Sequence, residues 1–170
     1  IDPAPYNDSK TYSGPNIGKS MPMLATRGCP YQCTFCSSPN MWTTRYITRR
    51  VSGVVDEMEY LKNTYGATDF QFQDLTAIIK KQWIVDFCKE LIDRALDITW
   101  QIPVGTRSES IDRDVTDLLV KSGCVFIQYA PESGSEEILK SINKRVNLEN
   151  LLASIKSALQ SGMHVSVLTI

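Results

Sequence analysis

Three of the five cysteines lie close together, at positions 29, 33 and 36. Residues 27–36 read RGCPYQCTFC, so three residues separate Cys29 from Cys33 and two separate Cys33 from Cys36. Thiolates spaced in this way on one short loop can bind three irons of a cubane and leave the fourth iron without a protein ligand. Thiolates are soft ligands that favour iron–sulfur clusters and zinc. The spacing therefore predicts a metal site on this loop.

A closed zinc site fits the sequence less well than an iron–sulfur cluster. Structural zinc normally takes a fourth Cys or His ligand. The one histidine, His164, lies far away at the start of a predicted strand, and Cys88 falls on the apolar face of a predicted helix. We interpret Cys88 and Cys124 as small core residues. An odd number of cysteines, three of them clustered, also differs from the pattern of a disulfide scaffold.

Repeated units of a short apolar strand and an amphipathic helix must position the cysteine loop. Strands are predicted at about 22–26, 69–73, 98–104 and 125–130, with a fifth beginning near 164. Helices are predicted at about 51–65, 83–95 and 112–123, then from 135 and over 148–159. Alternating strands and helices favour a parallel sheet with right-handed crossovers. The cysteine loop follows the first strand, so it lies at the carboxyl ends of the strands, where such folds place their chemistry.

The helices are predicted to cover one side of the sheet, which favours a barrel or an open partial barrel over a doubly wound sheet. We expect residues 21–170 to form one α/β core domain that is incomplete at its C-terminus, because nothing follows the fifth strand. Residues 1–20 are rich in Pro, Gly, Asn and Ser and are predicted to be an extended arm or linker. The chain is therefore expected to be a piece of a longer polypeptide.

The composition is that of an ordinary globular chain, with 170 residues, 42% of them hydrophobic, and a formal net charge of -1. This charge argues against a nucleic-acid partner held by bulk charge, although it allows a local basic patch. No apolar run approaches the roughly 20 residues of a membrane span. The N-terminus also lacks the basic and apolar regions of a signal peptide. We therefore expect a cytoplasmic location and no membrane partner.

The cysteine loop, with Phe35 just before its last cysteine, resembles that of the radical S-adenosylmethionine (radical SAM) superfamily. The position of the loop, after a first strand and ahead of repeated βα units, makes this motif specific. The resemblance covers about residues 21–170. The string RGCPYQCTFC, together with PESGSEEILKSINK at 131–144, is most similar to the branch that often carries an N-terminal cobalamin-binding domain. Methylthiotransferases share much of the same pattern. The resemblance implies a partial TIM-type (βα)n barrel, truncated here after about the fifth strand.

The resemblance also implies a reaction. Cys29, Cys33 and Cys36 would hold a 4Fe–4S cluster whose open iron chelates the amino and carboxylate groups of S-adenosylmethionine (SAM). An electron from the cluster would cleave the sulfonium and yield methionine and a 5′-deoxyadenosyl radical, which abstracts hydrogen from a substrate. An electron donor such as flavodoxin or ferredoxin is implied as a partner. Cobalamin, if it is used, would be held by a domain outside this chain.

Five further residues are candidates for binding SAM, and three of them lie in the first half of the chain. Phe35 would lie against the adenine, or it would pack the loop. Gln73 and Asp74 end the second strand, where related enzymes receive the SAM amino group. The glycine-glycine-glutamate form of that motif is absent, and Asp74 could equally cap the next turn.

The other two candidates follow the third and fourth predicted strands. Glu132 would accept hydrogen bonds from the ribose hydroxyls or from the amino group, or would organise the next helix together with Ser135. Arg107 could pair with the SAM carboxylate or with an acidic substrate, or it could bridge to Glu109. No residue is assigned a catalytic role beyond cofactor binding, and the substrate is not specified by the fold.

Three functions remain open on the sequence. The leading prediction is a radical SAM enzyme, with cobalamin-dependent methylation as one possible outcome. Methylthiolation of RNA or protein is the alternative within the same superfamily. The alternative from another class is a non-catalytic module that binds zinc or an iron–sulfur cluster.

Overall fold

A computed structural model describes Gly14, Pro15 and residues 17–170 of the chain. Most of the predicted arm at residues 1–20 lies outside these described residues. The strands are β1 (Ser20–Met23), β2 (Thr26–Arg27), β3 (Ile47–Thr48), β4 (Asp69–Phe72), β5 (Thr99–Thr106), β6 (Cys124–Glu132) and β7 (His164–Thr169). The helices are α1 (Ser38–Met41), α2 (Val51–Tyr65), α3 (Lys81–Arg94), α4 (Arg113–Lys121), α5 (Glu136–Ser141) and α6 (Leu148–Gln160).

The main sheet contains five parallel strands in the order β1-β4-β5-β6-β7. Each of these strands pairs with the next strand of this sheet along the chain, and β2 and β3 form a separate pair. A helix lies in each connection, and α2 packs on α3, α3 on α4, and α4 on α6. The helices therefore form one continuous layer over one face of the sheet. This is the predicted α/β partial barrel, and all its carboxyl strand ends lie at one edge.

Local capping explains where the helices begin and end. Helix α2 has the predicted bounds, and Gly66 ends it in the left-handed conformation with φ +69°. Helix α4 begins after Asp112, whose carboxylate accepts a hydrogen bond of 3.1 Å from the backbone N–H of Val115. Ser135 caps α5 in the same way, through the N–H of Ile138.

The strand bounds differ from the predicted ones at several ends. The first strand ends at Met23 instead of Thr26, because residues 25 and 26 leave the sheet and bond to the loop after β4. Strands β5 and β6 run on to Thr106 and Glu132. In β4 the phenylalanines do alternate with polar residues, but all four residues are buried. Asp69 of β4 accepts hydrogen bonds from Ser20, Thr99 and Gln101 of the neighbouring strands, which an alternating pattern does not reveal.

The core lies between the sheet and the helices. Trp100 of β5 meets Phe72 of β4 and Phe87 of α3 edge to face, with ring centroids 5.6 and 5.2 Å apart. Cys88 and Cys124 are buried in this layer, as predicted. Burial raises the pKa of Cys88 to about 12 and that of Cys124 well above its usual value. No helix in the described part of the chain has the length and apolar character needed to cross a membrane.

Candidate active site

The cysteine loop, residues 28–46, leaves and re-enters the fold through a short antiparallel pair. Thr26 and Arg27 of β2 pair with Thr48 and Ile47 of β3. Gly28 then adopts φ +77°, and a Cβ atom at this position would collide with the carbonyl oxygen of Arg45. A glycine is therefore required immediately before the first cysteine.

The tip of the loop is held from the opposite side by the segment after α5. The backbone N–H of Thr34 donates to the carbonyl oxygen of Ile142 at 3.0 Å. The side-chain amide of Asn143 donates to the carbonyl oxygen of Gln32 at 2.8 Å. The loop is thus fixed both at its base and at its tip.

All three loop cysteines line one cavity of about 150 Å³ at the carboxyl ends of the strands. We call this the cysteine cavity. Phe35, Arg107, Glu132 and Lys144 also line it. Of the five residues predicted to bind SAM, the structure brings Phe35, Arg107 and Glu132 together with the thiols.

The three thiols form no disulfide bond, and Cys29 and Cys36 lie near enough to Cys33 to interact with it electrostatically. Burial raises the pKa of Cys33, and the nearby charges of Lys144 and Arg107 oppose that rise. Within the described residues, no three His, Cys, Asp or Glu side chains lie close enough to hold a single metal ion. A four-iron cubane is larger than one ion, so its thiolates stand further apart. Three soft donors around one cavity fit a 4Fe–4S cluster better than a zinc ion.

Glu132 occupies a strained position at the wall of the cavity. It has φ +72°, a left-handed conformation that is costly for a residue with a side chain. Its carboxylate forms an ion pair with Lys144, with 2.9 Å between Oε1 and Nζ. The Lys144 ammonium also lies 5.8 Å from the ring centroid of Phe35. The cavity therefore presents an anion and a cation side by side, next to an aromatic ring that is 48% exposed.

Sequence reasoning did not single out Lys144. It is the last residue of the string at 131–144, twelve positions after Glu132. The helix α5 and the turn after it bring the ammonium back to the carboxylate. The available signal was the short helix predicted from residue 135, which lies between Glu132 and Lys144.

Arg107 lines the cysteine cavity, but its charge is already paired. Its guanidinium bonds to Glu109 at 2.7 Å and lies 3.7 Å from the ring centroid of Tyr31. Burial raises the pKa of Tyr31, and the charge of Arg107 opposes that rise. The bridge to Glu109 is one of the two arrangements that the sequence allowed. Through Tyr31, Arg107 fastens the cysteine loop to the end of β5.

Gln73 and Asp74 do not line the cysteine cavity. The carboxylate of Asp74 is 1% exposed and bonds to the backbone of residues 25 and 26. Gln73 lines a second, larger cavity of about 790 Å³, whose walls include Leu24, Trp42 and Leu75. Leu75 borders both cavities, so they adjoin each other.

Comparison with known proteins relates this arrangement to a family. The family model described as Radical SAM superfamily matches residues 23–170. Cytidylyl-2-hydroxyethylphosphonate methyltransferase of Streptomyces wedmorensis is 34% identical over 165 residues, which is 94% of this chain and 30% of that protein. Anaerobic magnesium-protoporphyrin IX monomethyl ester cyclase of Rubrivivax gelatinosus is 32% identical over 139 residues, 81% of this chain and 24% of that protein.

Solved structures show the same fold at lower identity. The radical SAM methyltransferase TsrM of Kitasatospora setae, with tryptophan and a SAM analogue bound, matches with a TM-score of 0.78 and 21% identity. That match covers 87% of this chain and 30% of TsrM. The cobalamin-dependent radical SAM enzyme OxsB matches with a TM-score of 0.74 and 19% identity, over 87% of this chain and 23% of OxsB. This chain therefore spans less than a third of each of these relatives.

Proposed function

This chain belongs to the Radical SAM superfamily, and from that membership we propose that it is the cofactor-cleaving part of a radical SAM enzyme. One observation carries the proposal. Three free thiols in the spacing C-x3-C-x2-C line a single cavity at the carboxyl ends of a parallel sheet. The other two cysteines are buried in the core, so neither is available as a fourth ligand.

A bound 4Fe–4S cluster would supply the electron that cleaves the sulfonium of SAM into methionine and a 5′-deoxyadenosyl radical. Cys29, Cys33 and Cys36 would hold the cluster. The hydrogen bonds at the base and tip of the loop fix its backbone before any ligand arrives, which lowers the entropy that binding must overcome. The domain that does this is proposed to be residues 21–170.

The chain's own charges suit the amino acid part of SAM. Glu132 offers carboxylate oxygens to an ammonium group or to ribose hydroxyls, and Lys144 offers an ammonium to a carboxylate. In the structure the two side chains pair with each other. Phe35, which is exposed and precedes Cys36, would offer its ring and backbone to the adenine.

The relatives favour methyl transfer as the reaction that follows. Two of the relatives described above are methyltransferases, and OxsB is cobalamin-dependent. We therefore propose a cobalamin-dependent methylation, with the cobalamin held by a part of the protein outside this chain. An electron donor such as flavodoxin or ferredoxin and a cytoplasmic location belong to the same proposal. Nothing in the site favours methylthiolation or a zinc module over this reaction.

Anaerobic reconstitution of the full-length protein tests the proposal. We expect about four irons per chain and release of 5′-deoxyadenosine after dithionite reduction with SAM. Cys33→Ser should abolish both, whereas Cys88→Ala should retain both, because Cys88 lies in the core. One tightly bound zinc without cleavage of SAM would contradict the proposed function.

A further inference from the structure

The carboxylate of Asp74 gathers four hydrogen bonds just beyond the end of β4. Oδ1 accepts from the backbone N–H of Ala25 at 3.1 Å and from the N–H and hydroxyl of Thr26 at 2.5 Å each. Oδ2 lies 3.2 Å from the N–H of Ala25. A buried carboxylate with this many donors is strongly held in place.

The residues that donate to Asp74 form the entrance to the cysteine loop. The chain leaves β1 at Met23 and turns, so the N–H groups of Ala25 and Thr26 have no partner in the parallel sheet. Asp74 supplies that partner. Gly28 and Cys29 follow within four residues of Ala25.

The end of the cysteine loop is also bonded to the segment after β4 and to Ala25. Tyr46, the last residue of the loop, donates from its hydroxyl to the carbonyl oxygen of Ala77 at 3.1 Å. The backbone N–H of Arg49 donates to the carbonyl oxygen of Ala25 at 2.8 Å. The base of the loop is therefore tied at both ends to the segment that follows β4, with Asp74 at its centre.

Asp74 is too enclosed to bind the cofactor directly. Its side chain is 1% exposed, it does not line the cysteine cavity, and both of its oxygens already have donors. Moving it toward SAM would leave two backbone N–H groups buried without partners. The expectation that Asp74 receives the SAM amino group therefore has no support in this geometry.

We propose that Asp74 is a positioning residue that sets the entrance of the cysteine loop, so that Cys29 reaches the cluster together with Cys33 and Cys36. The inference rests on the proposed function for its cluster, but its structural part applies to the protein without any metal. Asp74 acts through the backbone of Ala25 and Thr26, and not through contact with iron or SAM.

Hydrogen exchange on the metal-free, full-length protein tests the structural part. In Asp74→Ala the amides of Ala25 and Thr26 should exchange about tenfold faster or more, because they lose charge-assisted hydrogen bonds. In Asp74→Asn the effect should be smaller, because Oδ1 can still accept from Thr26. Unchanged exchange at both amides in Asp74→Ala would overturn the proposal, whatever the protein does with iron.

Iron content and the spectrum of the reduced cluster test the functional part. Asp74→Asn should lower the iron bound after reconstitution, and the iron that is retained should give an altered electron paramagnetic resonance (EPR) spectrum. The KM for SAM of the loaded fraction should not change. Full iron content with a raised KM for SAM would mean that Asp74 contacts the cofactor, and would overturn the proposal.

Asp69 provides the matched control, because it is a fully buried aspartate at the amino end of β4 and accepts hydrogen bonds from three donors. Asp69→Asn should keep full iron content. If Asp74→Asn and Asp69→Asn have the same melting temperature and lose the same amount of iron, the loss is not specific to Asp74. That result would also overturn the proposal.

If Asp74→Ala fails to fold, a pair of variants at Thr26 tests the same hydrogen bond. Thr26→Val removes the hydroxyl that donates to Asp74, and Thr26→Ser retains it. Thr26→Val should lower iron content, and Thr26→Ser should keep it at the wild-type level. Wild-type iron content in Thr26→Val would contradict the role assigned to Asp74. If the wild type itself holds no cluster, the proposed function fails, while the exchange experiment still decides the role of Asp74.

Discussion

One buried aspartate begins strand β4 and another lies just beyond its carboxyl end, and the two carboxylates bond to different kinds of partner. At the amino end, Asp69 accepts from the side chains of Ser20, Thr99 and Gln101 at 2.7 to 2.8 Å. These three residues belong to β1 and β5, the strands on either side of β4. At the carboxyl end, Asp74 accepts from the backbone that leads into the cysteine loop.

The contrast shows how one residue type serves two purposes in a parallel barrel. The amino-end network links neighbouring strands and closes the inside of the sheet, so it supports the fold. The carboxyl-end network holds a loop in place over a cavity, so it supports the site. This division follows the general rule that the carboxyl face of such a barrel carries chemistry and the opposite face carries stability.

The largest expected effect at the carboxyl end comes from Gly28→Ala. The new Cβ would meet the carbonyl oxygen of Arg45 while the backbone is held at φ +77°. The loop must then rearrange, and iron content after reconstitution should fall to about a tenth of the wild-type value or less.

Gly162→Ala is the control for Gly28→Ala. Gly162 has φ +83° but open space around a Cβ, so the substitution adds strain without a collision. It should cost about 1 kcal/mol of stability and leave iron content unchanged. Normal iron loading in Gly28→Ala would break the distinction between the two ends of the sheet.

Asp69→Ala tests the amino end. Three donors, two of them buried, lose their acceptor, so the free energy of unfolding should fall by about 3 kcal/mol in denaturant titrations. The protein that remains folded should load iron as the wild type does. Loss of iron without loss of stability would show that the amino-end network also governs the site.

Lys144→Met sharpens the description of the cavity and has the smallest expected effect. The substitution removes the cation that pairs with Glu132 and should raise the KM for SAM about tenfold, with iron content unchanged. Lys140→Met, at an exposed position on α5, should leave the KM unchanged. Equal KM values for the two variants would remove Lys144 from the binding site.

Local patterns were sufficient to predict the layout of the fold and the position of the loop. The helical period and Gly66 gave the bounds of α2, and the spacing of the three cysteines identified the loop. The βα repeat then indicated that this loop lies at the carboxyl ends of the strands. These features depend on residues that are close together in the chain.

Contacts between distant residues could not be predicted in the same way. Asp74 bonds to Ala25 and Thr26, which lie 49 and 48 positions earlier in the chain. An aspartate at this position is, from its type alone, equally consistent with a helix cap or a ligand. Lys144 reaches Glu132 only because α5 and its turn reverse the chain. The burial of all four residues of β4 likewise depends on its neighbours β1 and β5, which are distant in the chain.

The most direct test of the central claim is the EPR spectrum of the reconstituted, reduced, full-length protein with and without SAM. If Cys29, Cys33 and Cys36 hold a 4Fe–4S cluster with one open iron, SAM will bind that iron and change the spectrum. The same addition should have no effect on Cys33→Ser, which should show no cluster signal. A cluster spectrum that SAM leaves unchanged in the wild type would contradict the claim.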